Sequence, residues 1–126
     1  MHDFRKLRVW ERGRTFGREV YLLTARARAE QRVVTAQLRR SALAIAPQIA
    51  EGCGKRTRAE SIRYFDMARG SCCESESHLE TAKDLGIVPA REAHRLISEV
   101  VQLQRMLQAL MRNLPDDSDA ELTLAD

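Results

Sequence analysis

A chain of 126 residues, 44% of them hydrophobic, holds enough apolar material for one core, and no second domain is expected. Few prolines and glycines, few aromatics and an abundance of Ala, Leu, Arg and Glu make an all-α fold the expectation. No run of about 18 apolar residues could span a bilayer, and the N-terminal Met1-His2-Asp3-Phe4-Arg5-Lys6 lacks the apolar core of a secretory signal, so a cytoplasmic protein without a membrane partner is expected. The net charge of +3 hides an asymmetry: residues 1–58 hold fourteen Lys/Arg against five Asp/Glu, residues 59–114 hold seven against eight, and the last twelve carry five acids and no base.

The first helix is expected over about Leu7 to Arg28, because Trp10, Gly13, Phe16, Gly17, Val20, Leu23 and Thr24 recur at three and four residues. Gly13 and Gly17 on that face let a neighbouring helix approach closely. Residues 29–33 read as a short polar connection. The second helix follows over Thr35 to Gly52, with Leu38, Ala42, Ile45 and Ile49 inside. Pro47 cannot bond the Leu43 carbonyl, which predicts a kink near Leu43 to Pro47, and Gly52 and Gly54 are expected to end the helix.

Thr57-Arg58-Ala59-Glu60 fits a capping box for the third helix. Its inner face runs through Phe65, Ala68, Cys72, Ser75 or Glu76, Leu79 and Ala82 to Leu85, with Gly86 as a left-handed terminator. Pro89 suits the first turn of the fourth helix. Ala93, Leu96 or Ile97, Val100, Leu103, Leu107, Leu110 and Leu114 form its stripe, widened by Val101, Met106 and Met111. Pro115 stops it, leaving a four-helix domain over 1–114 and an acidic tail over 115–126. Short connections predict an antiparallel up-down-up-down four-helix bundle.

The stretch Gln37-Leu38-Arg39-Arg40-Ser41-Ala42 to Ile45, Pro47, Ile49-Ala50-Glu51-Gly52, Gly54-Lys55-Arg56, followed by Ala68-x-Gly70-Ser71, Glu74, Glu76 and Ala82-Lys83-Asp84-Leu85-Gly86, resembles a bacterial four-helix-bundle family. That family includes the intervening-sequence proteins encoded within large-subunit ribosomal RNA genes. The resemblance covers about Phe4 to Leu114. It implies ring-shaped homopentamers, since family members of known fold assemble that way. It brings no agreed activity, but a related ring protein binds nucleic acid and assists retroelement reverse transcriptases, so RNA, other nucleic acid, or a reverse transcriptase or other protein are the implied partners. Where the family pattern carries Ser-Ile-Pro and then Asn, this chain has Ala44-Ile45-Ala46-Pro47-Gln48, and no role resting on that serine or asparagine is carried over.

Catalysis needs groups that can act together, and these are sparse. His2, His78 and His94 lie at a terminus and on two separate helices. Glu74 and His78 share a face while Cys72 points elsewhere, which falls short of a metal site. Cys73 has Arg69 one turn away but no histidine base. With an odd count and no spaced framework, Cys53, Cys72 and Cys73 read as reduced thiols packed as small apolar residues. There is no Walker loop or dinucleotide fingerprint, so no cofactor and no enzymatic activity are expected.

Two readings of the charged residues remain open at this level. Arg39, Arg40, Lys55, Arg56 and Arg58 flank the two ends of the second helix and can form a surface for phosphates, read without sequence preference. Alternatively Arg39, Arg40 and Arg69 are spent on structural ion pairs with the candidate carboxylates Glu51, Glu74 and Glu76, and the protein is an assembly scaffold that binds other proteins.

Overall fold

The computed structural model describes residues 3–117, and these hold four α-helices and no strand. A short 3-10 turn, Phe4–Lys6, starts where the Asp3 carboxylate accepts from the Arg5 amide at 3.1 Å. Helix α1 (Arg8–Leu23) follows and buries Val9, Gly13, Phe16, Gly17 and Val20 on one face. It stops five residues short of the expected Arg28. Residues 25–28, Ala-Arg-Ala-Arg, offer nothing large to bury, and the carbonyls at the helix end find other donors. Thr24 Oγ1 donates to the Val20 carbonyl at 2.8 Å, while Arg39, from the next helix, donates to the Tyr21 carbonyl at 3.1 Å.

After a second 3-10 turn, Ala29–Gln31, helix α2 runs over Arg32–Cys53, three residues earlier than expected and continuous through Pro47. Leu38, Ala42, Ile45 and Ile49 are fully buried, as their spacing requires. The α1 glycines face this surface: a Cβ on Gly13 would sit 3.1 Å from Ile45 Cγ2, and one on Gly17 would sit 3.1 Å from the Ala42 carbonyl oxygen. Their missing side chains set the α1–α2 spacing.

Gly52 departs from the expectation that it ends the helix. It lies inside α2, and a Cβ there would be 2.5 Å from Cε1 and 2.7 Å from Cδ1 of Phe65, a fully buried ring. Its carbonyl also accepts from Ser61 Oγ at 2.8 Å. Gly52 is therefore a packing residue, and Gly54 closes the helix with ordinary right-handed geometry.

Helix α3 (Arg58–Asp84) starts at Thr57, whose hydroxyl accepts from the Glu60 amide at 3.2 Å; the reciprocal Glu60 bond is absent from its capping contacts. Ser75, rather than Glu76, takes the inner position and shares a 2.8 Å hydrogen bond with Ser41 of α2. Gln48, at the place where the family pattern has Asn, bonds Ser71 at 2.7 Å and adds a second polar tie between α2 and α3. Gly86, at φ +71, ends the helix as expected, with the Ile87 amide donating to the Ala82 carbonyl at 2.9 Å.

Pro89 stands at the N-cap, one residue before helix α4 (Ala90–Arg112). Ala93, Leu96, Val100, Leu103 and Leu107 are fully buried, while Ile97, Met106, Leu110, Met111 and Leu114 pack at the margin of the same core. That core draws on all four helices, and no buried side-chain polar atom among the described residues lacks a partner.

Candidate nucleic-acid interface

The five cations singled out in the sequence divide into two groups at opposite ends of α2. At its C-terminal end, the bend between α2 and α3 brings Lys55, Arg56 and Arg58 together. Lys55 Nζ lies 4.7 Å from the centre of the Tyr64 ring, and Arg63 covers the same ring at 5.8 Å. Arg56 is exposed with no ion-pair partner among the described residues. Arg58 is engaged by the end of the described chain: its Nε donates to the Leu114 carbonyl at 3.4 Å, and its backbone amide donates to the Asp117 carboxylate. Residues 55–63 thus carry four cations against Glu60 alone, two of them, Lys55 and Arg63, set over one tyrosine.

At the other end, Arg39 and Arg40 diverge. Arg39 is half-buried, stacked at 4.2 Å on Tyr21 and donating from Nε to Thr24 Oγ1 at 2.7 Å. Arg40 is exposed and reaches Glu74 at 3.4 Å, with side-chain exposures of 73% and 51%. An ion pair so open to water contributes about 0–1 kcal/mol. The large penalty attached to breaking a buried pair does not apply to it.

The remaining candidate carboxylates have varied surroundings. Glu76 accepts from Gln104 Nε2 at 2.8 Å, joining α3 to α4 without a cation. Glu51 is exposed, and Arg69 pairs with Asp66 at 3.0 Å within its own helix. The polar connection between α1 and α4 is instead made by residues that the apolar pattern did not flag. Arg12 donates to both oxygens of Glu99, at 3.0 and 2.8 Å, and this bidentate contact holds its guanidinium pKa above the usual value. Arg95 bridges Glu92 of its own helix and Glu19 of α1. The sequence signal was present: positions 12 and 19 are seven apart, as are 92 and 99, which places each pair on one helical face.

The described cysteines and histidines are dispersed over the helices. His78 lies 3.8 Å from Glu74, but Cys72 is buried in the core, and no cluster of three metal-ligating side chains occurs among the described residues. His2 lies outside them, as do the tail positions beyond 117. Burial pushes the Cys53 thiol up to about 11 and the Cys72 thiol up to about 12, since a thiolate loses its hydration there. Cys73 departs from the expected core role: it is exposed, with Sγ 3.5 Å from Gln104 Oε1. One thiol per native chain, the exposed Cys73, should therefore react promptly with a disulfide reagent. The other two should appear only on denaturation, and prompt reaction of all three would contradict the buried placement.

Four helices about one core, with the candidate cations gathered towards the two ends of α2, define an all-α protein. The chain belongs to the 23S rRNA-intervening sequence protein family, whose model matches residues 5–109. A crystal structure from Bacteroides thetaiotaomicron VPI-5482, described as a protein with unknown function from the S23 ribosomal protein family, has the same fold. It superposes with a TM-score of 0.77 at 20% identity, covering 83% of this chain and 99% of that one. No curated protein matches the sequence. No helix among the described residues is long and apolar enough to cross a membrane.

Proposed function

We propose that this protein is a non-enzymatic, cytoplasmic, oligomeric binding protein that holds RNA or other nucleic acid through a basic surface with little sequence preference. The observation carrying this reading is the α2–α3 bend, where Lys55 and Arg63 lie over Tyr64 and Arg56, close by in the chain, is exposed with no ion-pair partner among the described residues. Cations around an aromatic face suit a phosphate backbone with an unstacked base. The family name, which refers to insertions in ribosomal RNA, agrees with it.

The helices are proposed to form an antiparallel up-down-up-down bundle. Residue pairs support this: Gly13 lies by Ile45 and Gly17 by Ala42, Gln48 by Ser71 and Ser41 by Ser75, and Arg12 by Glu99 and Glu19 by Arg95, each pair of helices running in opposite senses. The bundle is proposed to close into a homopentameric ring. An apolar groove of about 320 Å³ between α1 and α2, bordered by Phe4, Trp10, Leu43 and Pro47, supplies surface for such an assembly.

That same groove favours the second reading, a scaffold that binds proteins, with a reverse transcriptase among the candidate classes and with Arg39, Arg40 and Arg58 occupied inside the molecule. Light scattering should give five copies of the 14.4 kDa chain. Gel-shift titration should show RNA binding that falls steeply with salt and hardly varies among unrelated sequences. A monomer at micromolar concentration would overturn the ring, and no binding of RNA or DNA at about 50 mM salt, where electrostatic binding is strong, would leave the scaffold.

A further inference from the structure

A second charged feature lies away from the α2–α3 bend, where the end of α1 meets the start of α2. A cavity of about 490 Å³ opens there, bordered by Arg32, Arg39, Arg40, Thr24, Thr35 and three alanines, with no carboxylate in its lining. By helical rise it stands roughly 20 to 30 Å from Lys55.

Arg39 is the fixed member of the set. Its guanidinium is stacked on Tyr21, its Nε is held by Thr24 Oγ1 and its Nη2 by the Tyr21 carbonyl, which leaves Nη1 without a partner among the described residues. A fork already oriented by the protein loses little freedom when it takes up an anion. Arg40 spends one nitrogen on the long, exposed contact to Glu74, and Arg32 is exposed without an ion pair among the described residues. The threonine hydroxyls donate to the carbonyls of Val20 and Gln31, so they are not spare donors. Recognition in this cavity falls to the guanidiniums. Three like charges around one concavity repel each other, and Glu74 offsets only one of them.

We infer that this cavity binds a phosphate dianion, either free inorganic phosphate or the terminal phosphate of a nucleotide chain. A tetrahedral oxyanion offers separate oxygens to separate guanidiniums, and such charge-assisted contacts are shorter and stronger than neutral ones. The inference does not depend on nucleic-acid binding at the α2–α3 bend, because inorganic phosphate alone satisfies it.

The test titrates the full chain with inorganic phosphate at constant ionic strength, following arginine Nε–H resonances and binding heat. Saturable binding with a shift at Arg39 is expected. Arg32→Gln and Arg40→Gln, both at exposed positions, should keep the helical spectrum and weaken binding about tenfold or more, the loss of one charged hydrogen bond each. A parallel comparison uses one oligonucleotide with a 5′-phosphate and with a 5′-hydroxyl. Preference for the phosphorylated end, abolished by Arg32→Gln, assigns the ligand to a chain terminus; equal binding of the two, with inorganic phosphate still saturating, assigns it to the free ion. Absence of saturation by phosphate, or saturation unchanged in both variants, would overturn the site whatever the outcome for RNA elsewhere.

Discussion

Replacing Gly52 with alanine should destabilise the protein, although alanine is the better helix former. Transfer from glycine to alanine inside a helix ordinarily gains about 0.5–1 kcal/mol. Here the new methyl would fall within 3.1 Å of three Phe65 ring atoms, and the ring is fully buried. Overpacking of a filled core costs about 1–3 kcal/mol, so the net change should be a loss of up to about 2 kcal/mol in chemical denaturation. Gly70 gives the opposite sign. It lies within α3, and a methyl added to it would meet nothing within 4 Å, so Gly70→Ala should stabilise by about 0.5–1 kcal/mol. A double-mutant cycle with Phe65→Leu should show coupling at position 52 and none at position 70. A Gly52→Ala protein as stable as the parent would mean that the ring yields freely and that the steric reading is wrong.

Reversing two charges at the α2–α3 bend should have the largest effect on binding. Arg56→Glu with Arg63→Glu replaces two exposed cations of the α2–α3 bend by anions, the second of them over Tyr64. Affinity for RNA should fall by well over about tenfold at low salt, and the slope of log affinity against log salt should shrink by about one for each phosphate no longer neutralised. Arg91→Glu with Arg105→Glu makes the same change in net charge on exposed positions of α4. That control should lose much less affinity, and light scattering should give the same mass for both variants. Equal losses in the two proteins would mean that binding follows overall charge and that the bend is no interface.

The helical faces were legible in the sequence because burial follows a period of 3.6 residues. Leu38, Ala42, Ile45 and Ile49 on α2, and Phe65, Ala68, Cys72, Leu79 and Ala82 on α3, all lie in the core. Features decided by a partner far along the chain were not legible. The end of α1 depends on Arg39 reaching back to Tyr21 and Thr24, across fifteen or more residues. Gly52 reads as a terminator in isolation and becomes a packing residue only when Phe65 lies against it. The candidate cations were visible by position, yet their neighbours were not: Tyr64 and Arg63 beside Lys55, and Asp117 and Leu114 at Arg58, follow from the bend and from where α4 ends.

The exposed Cys73 supplies a natural attachment point for a spin label, with its two sister thiols shut inside the core. One label per chain, placed without altering the sequence, turns any assembly of copies into a figure whose vertices can be measured by dipolar spectroscopy. A regular pentagon yields two separations, its side and its diagonal, whereas a triangle or a pair yields a single one. The symmetry of the particle can thus be read from distances alone, independently of its mass.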